Sequence, residues 1–124
     1  MQRFRTSTIE IQDGIIYFRA EADDVYDRQD LVDILDLMEI ESGGNPFPLI
    51  MVINEYEFLM TKEARNLFHE HEKAQRLILA EAVVINSVST KILYNLLTRL
   101  HSPKFPFKAF NDESAAIDWL LSKK

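Results

Sequence analysis

The chain has 124 residues, a single-domain length, and 47% of them are hydrophobic, enough to build a core without covalent staples. It has no cysteine, which excludes disulfides, thiolate chemistry and cysteine-ligated zinc or iron–sulfur sites. A net charge of −6 opposes binding to nucleic-acid phosphates and anionic membranes. No run approaches the roughly 18 apolar residues of a membrane span, and "MQRFRTSTIEIQDG" lacks a secretory apolar core, so a cytoplasmic protein is expected.

"STIEIQDGIIYFRAE" carries two alternating apolar segments around Asp13-Gly14. That dipeptide suits a two-residue turn with positive φ at both positions, so a hairpin with strands at 7–12 and 15–20 is expected. In "DVYDRQDLVDILDLMEIESGG", Leu31, Ile34, Leu35 and Met38 form one helical stripe. Asp27 is its N-cap, Tyr26 and Leu31 are placed as a hydrophobic staple, and Gly43 or Gly44 closes it. Nine carboxylates and a single base, Arg28, lie between Glu21 and Glu41. The plain reading is a solvated helix face, and the sharper one an acidic docking surface for a basic partner.

"FPLIMVINE" is almost continuously apolar and reads as a buried central strand. "TKEARNLFHEHEKAQR" puts Ala64, Leu67, Phe68 and His71 on one helical face. "LILAEAVVINS" is another buried strand, and "VSTKILYNLLTRLH" a helix that Ser89 can cap. "PFKAF" is a short strand, and "NDESAAIDWLLSKK" a last helix capped by Asn111 or Asp112, with Ala116, Trp119 and Leu120 facing inward. The order ββαβαβαβα over residues 1–124 predicts one α/β domain. Its five-stranded mixed sheet is mostly parallel and has helices mainly on one face. Glu81 interrupts a buried strand, and an ionised carboxylate does not stay buried alone. It is therefore expected at the strand entrance or on a partly open sheet face.

Sites for chemistry are sparse. "ESGGNP" follows a helix C-terminus and lies among carboxylates, both of which repel phosphate, so it reads as a chain-reversal loop. His69 and His71 are two residues apart, about 200° around a helix, and cannot share one metal. No metal or other cofactor is expected. Asn54, Glu55 and Glu57 follow the central strand at the end where α/β sheets bind ligands. Glu55 and Glu57 could serve as acid and base, but no nucleophile or oriented histidine accompanies them in sequence. Phe58, Leu59 and Met60 are unusually apolar for a loop, which points to an interface or a pocket. Thr61 then stands at a helix start. Its hydroxyl suits an N-cap, and the same position would welcome a phosphate, with its charge near −2 facing free N–H groups.

Three segments, the hairpin "IEIQDGIIYFRAE", the stretch "LIMVINEYEFLMTKEAR" and the ending "KAFNDESAAIDWL", resemble the STAS domain family of anti-sigma-factor antagonists. The ending is most similar to the uncharacterised SpoIIAA-like branch. The resemblance covers nearly the whole chain. It implies a mixed sheet and no enzymatic activity. In the antagonists a phosphorylated serine at the start of the second helix controls partner binding, and Thr61 occupies that position. An aspartate precedes that serine in the antagonists, and Met60 stands there in this chain. The expectation is a non-catalytic regulatory module of the bacterial cytoplasm that binds a protein partner through Asn54, Glu55, Phe58, Leu59, Met60 and Thr61, with 86–90 as a possible extension. The alternative is a carrier of a small apolar ligand or lipid, lined by Phe58, Leu59, Met60 and Phe68. A sheet face left uncovered by helices also predicts a homodimer, through the sheet or through 58–60.

Overall fold

The structure is a computed structural model and describes residues 1–20, 24–53, 58–60, 66, 70–87, 91–92, 95 and 104–123. Among the described residues the elements follow one another as β1 (Gln2–Phe4), β2 (Ser7–Gln12), β3 (Ile15–Ala20), β4 (Asp24–Tyr26), α1 (Arg28–Ser42), β5 (Phe47–Val52), β6 (Phe58–Met60), α2 (Glu72–Leu77), β7 (Ile78–Val84), β8 (Phe107–Phe110) and α3 (Glu113–Leu121). Asn66 and Glu70, before α2, and Lys91, Ile92 and Asn95, between β7 and β8, are helical as well.

The main sheet has the order β1-β2-β3-β5-β7-β8. The first two pairings are antiparallel and the other three parallel. The α/β class and the hairpin at 7–12 and 15–20 are as expected. The strand count is six rather than five, because β1 adds a second hairpin ahead of the first. Asp13 and Gly14 take φ of 52° and 80°, the two positive values that the Asp-Gly turn requires. The β1–β2 turn uses Arg5 with φ 53°. An arginine there carries no turn signature, so the strand before it is not legible in the sequence.

α1 begins and ends as its sequence dictates. Asp27 and Asp30 form a reciprocal capping box, each carboxylate accepting the other's backbone N–H at 2.9 Å. Tyr26 and Leu31, the staple pair, are both fully buried. Gly43 takes φ 66° after the last turn. Its N–H donates to the Ile40 carbonyl, and that of Gly44 to the Glu39 carbonyl, which closes the helix.

Two apolar layers flank the sheet. On one face α1 and α2 bring Leu31, Ile34, Leu35, Met38, Ala74 and Leu77 onto Phe18, Leu49, Met51 and Val83. On the other, α3 lays Ala116 and Leu120 over Ile15, Ile50, Ala82 and Val84, with Trp119 partly buried beside them. Thr8, Glu10 and Arg19 share this second face beyond α3. Its apolar half is therefore covered by α3 and the other half carries polar side chains. The bare apolar sheet face behind the expected homodimer does not exist among the described residues.

Three expectations are corrected. The 58–60 segment is a strand, not a loop. The helix read through residues 61–76 is interrupted at His71, whose extended backbone and Nδ1, accepting the Lys73 N–H at 3.0 Å, start α2 afresh. Glu81 does not sit on an open face. It is 2% exposed on the α1–α2 side of β7, between Leu49 of β5 and Phe107 of β8. Both flanks of β7 are paired there, and the helical layer closes over it.

Candidate functional site

β3 and β5 run parallel and leave the sheet at the same end. The chain beyond each of them pairs again. β4 follows β3 and β6 follows β5, and the two form a separate parallel pair with Asp24 opposite Phe58, Val25 opposite Leu59 and Tyr26 opposite Met60. The pair stands at the carboxyl ends of β3 and β5, where open α/β sheets present their binding sites. A parallel partner fixes the register of an apolar tripeptide that by its sequence alone resembles a loop.

Tyr26 anchors this pair to the domain. It is fully buried, with its ring centroid 5.8 Å from that of Phe4 and 6.3 Å from that of Phe18, the latter edge-on. The Arg5 guanidinium lies 5.3 Å from the Tyr26 centroid and 5.7 Å from that of Phe4. It also meets the Asp30 carboxylate at 3.1 and 3.2 Å. Asp30 thus binds two groups at once: the Asp27 N–H that opens α1 and a cation carried by the β1–β2 turn. A stacked arginine holding a carboxylate suits its planar, delocalised charge. The β4–β6 pair therefore adjoins the start of α1 and is braced from the β1–β2 turn.

Of the residues singled out in sequence, Phe58, Leu59 and Met60 are brought together as β6. Asn54, Glu55, Glu57 and Thr61 lie outside the described residues, as do Phe68, His69 and Ser89. Thr61 directly follows Met60, whose backbone partner is Tyr26, the residue before the α1 N-cap. Among the described residues no group of three His, Asp or Glu side chains is placed to hold a metal ion. Arg5, Tyr26 and Asp30 were missed as parts of the site. The Asp27-to-Asp30 spacing was a readable capping signal, whereas nothing in sequence ties Arg5 to residues twenty-one and twenty-five positions on.

The architecture, a mixed sheet with α1 and α2 on one face and a terminal helix on the other, is that of a SpoIIAA-like α/β domain. A crystal structure of an uncharacterised protein from the DUF3478 family, with a SpoIIAA-like fold, from Shewanella loihica PV-4 superposes with a TM-score of 0.63. The match covers 97% of this chain and 98% of that one at 19% identity, a likeness of fold. The family described as Domain of unknown function (DUF7793) matches residues 9–124, and the chain belongs to it. No curated protein matches the sequence. No described helix is long and apolar enough to cross a membrane.

Proposed function

We propose that the chain is a non-catalytic STAS-like interaction module of the bacterial cytoplasm, and that the β4–β6 pair is its partner-binding surface. The observation that carries this reading is the parallel pairing that holds Phe58, Leu59 and Met60 in fixed register at the carboxyl ends of β3 and β5. A backbone already held in register lowers the ordering cost of recognition. Thr61, next in sequence, is the candidate regulatory hydroxyl. A phosphate there would add close to two negative charges beside the contact surface and change partner affinity. Asn54 and Glu55, on the connection from β5 to β6, would supply polar contacts around the apolar ones.

A photo-crosslinking amino acid placed at Leu59 in cells of the native host tests this reading. Illumination is expected to give one discrete adduct with another protein, absent when the probe stands at Ile40, which is 63% exposed on α1. A shift matching a second copy would make the surface a homodimer contact. An adduct only with a small apolar molecule would replace the module by a carrier. No adduct at Leu59 would overturn the assignment of the surface.

A further inference from the structure

The described cations are not all placed alike. Lys73, Arg76, Arg19 and Arg5 each lie against a carboxylate. Lys108 and Lys123 do not. The Lys108 ammonium stands 5.4 Å from the Phe110 ring centroid, and that of Lys123 stands 5.6 Å from the Trp119 centroid. The two rings touch, centroids 5.7 Å apart and planes at 54°. The order along this strip is ammonium, Phe110, Trp119, ammonium. It runs from β8 onto α3, at the opposite side of the sheet from β1.

In a chain with 20 acidic and 14 basic side chains, carboxylates are plentiful. Two exposed ammonium groups resting on ring faces instead keep N–H donors toward solvent, and neither has a carboxylate in salt-bridge range among the described residues. The nearby acids are engaged or turned aside. Asp112 accepts the Ser114 N–H as the α3 cap, and Glu113 is held by Arg19. Asp118 precedes Trp119 by one residue and so lies about 100° around the helix from it. The rings are only partly buried.

We propose that the β8–α3 corner is a docking site for a segment of another protein that carries carboxylates beside apolar side chains. The apolar groups would cover the outer edges of Phe110 and Trp119, and the carboxylates would take the ammonium groups of Lys108 and Lys123. Charge complementarity selects this occupant. A strip with two cations on a chain of net charge −6 is too weakly basic to hold an anionic bilayer or a nucleic-acid backbone, each of which needs a cluster of cations. The backbone of β8 takes no part, because the Asn95 side chain already occupies the outward groups of Ala109.

Trp119 is the single tryptophan of the chain, so its fluorescence reports on this corner alone. The probe is a short synthetic peptide of alternating glutamate and leucine, with peptides of lysine–leucine and glutamate–serine as controls. The expected result is a saturable change in Trp119 emission with the first peptide only, weakened by salt. The double variant K108E/K123E should bind roughly tenfold more weakly, as two exposed ion pairs would account for. Both lysines are exposed, and an unchanged circular dichroism spectrum would show that the variant is folded. An absent response, equal binding by the double variant, equal binding of the lysine–leucine peptide, or a response confined to phosphatidylglycerol vesicles or to oligothymidylate would each overturn the proposal.

Discussion

Arg19 and Glu113 meet through two hydrogen bonds, Nη2 to Oε1 at 2.8 Å and Nη1 to Oε2 at 3.3 Å. They join the carboxyl-terminal end of β3 to the first turn of α3 across 94 residues of chain. The bond to Glu113 pushes the Arg19 pKa above its usual value, and the guanidinium also lies 5.2 Å from the Tyr17 ring centroid. Tyr17 is pushed up in turn, first by its burial and then by the Glu113 charge. The clasp marks where the polar half of the second sheet face begins and the cover of α3 ends.

Both partners of the clasp are partly exposed, so water screens the pair and its worth is small. R19M and E113Q should each cost about 0.5 kcal/mol, and the double variant little more than either single one. Urea unfolding of the four proteins measures this. Additive losses would mean that the two side chains act separately.

Asp30 should matter more than its neighbour in the capping box. D27A removes one acceptor at the α1 N-terminus and should cost about 1 kcal/mol. D30A removes the acceptor of the Asp27 N–H and also leaves Arg5 over Tyr26 and Phe4 without its carboxylate. D30A should therefore lower the urea midpoint further than D27A. In an R5M background the gap should narrow, since the second role of Asp30 is then gone.

A pH profile should show a second electrostatic seam, between α1 and α2. Hydrogen bonds from Arg76 first and Lys73 second hold the Glu39 carboxyl below its usual pKa. Those to Asp36 and Glu39 raise the pKa of Lys73. A lowered acid stabilises the fold above its unfolded value, about 4.3 for glutamate. That contribution is lost as the pH falls through the lower folded value. A raised lysine stabilises below about 10.4, and its share is lost as the pH climbs through the higher folded value. E39Q should thus have a lower urea midpoint than the native chain at neutral pH, and the two should converge in acid. Equal midpoints at neutral pH would remove the seam from the account.

Much of this fold was legible because local chemistry and global packing agree. Asp13-Gly14, the stripe from Leu31 to Met38 and the apolar run from Phe47 to Val52 each have one physical solution, and the structure adopts it. The missed parts are those whose cause lies elsewhere in the chain. β6 is a strand only because β4 is there to pair with it, and three residues carry no period of their own. Glu81 reads as a surface charge in sequence, yet β5, β8 and the helical layer decide its burial. The β4–β6 tripeptide was found by its apolar composition. Arg5 and Asp30 were not found, because the contact between them spans 25 residues.

The last prediction concerns the free margin of the sheet. The Glu81 N–H donates to the Pro106 carbonyl, and the Ile85 N–H to that of Phe110, both at 2.9 Å. By strand alternation these even-numbered positions of β8 and its approach face β7, so the backbone groups of Ala109 face away from it. Ala109 is nonetheless fully buried. Its N–H donates to the Asn95 Oδ1 at 2.9 Å, and its carbonyl accepts from Nδ2 at 3.5 Å. One carboxamide thus stands where a further strand would pair. Replacing it with an apolar group of like size leaves a buried N–H unsatisfied, at a cost of about 1–3 kcal/mol, and reopens an edge of the kind that recruits other chains. N95L should lower the urea midpoint, speed hydrogen exchange at the Ala109 amide, and make the mass by light scattering rise with concentration. A change within about 0.5 kcal/mol, typical of a surface position, together with unchanged exchange at Ala109, would show that the edge is closed by something other than Asn95.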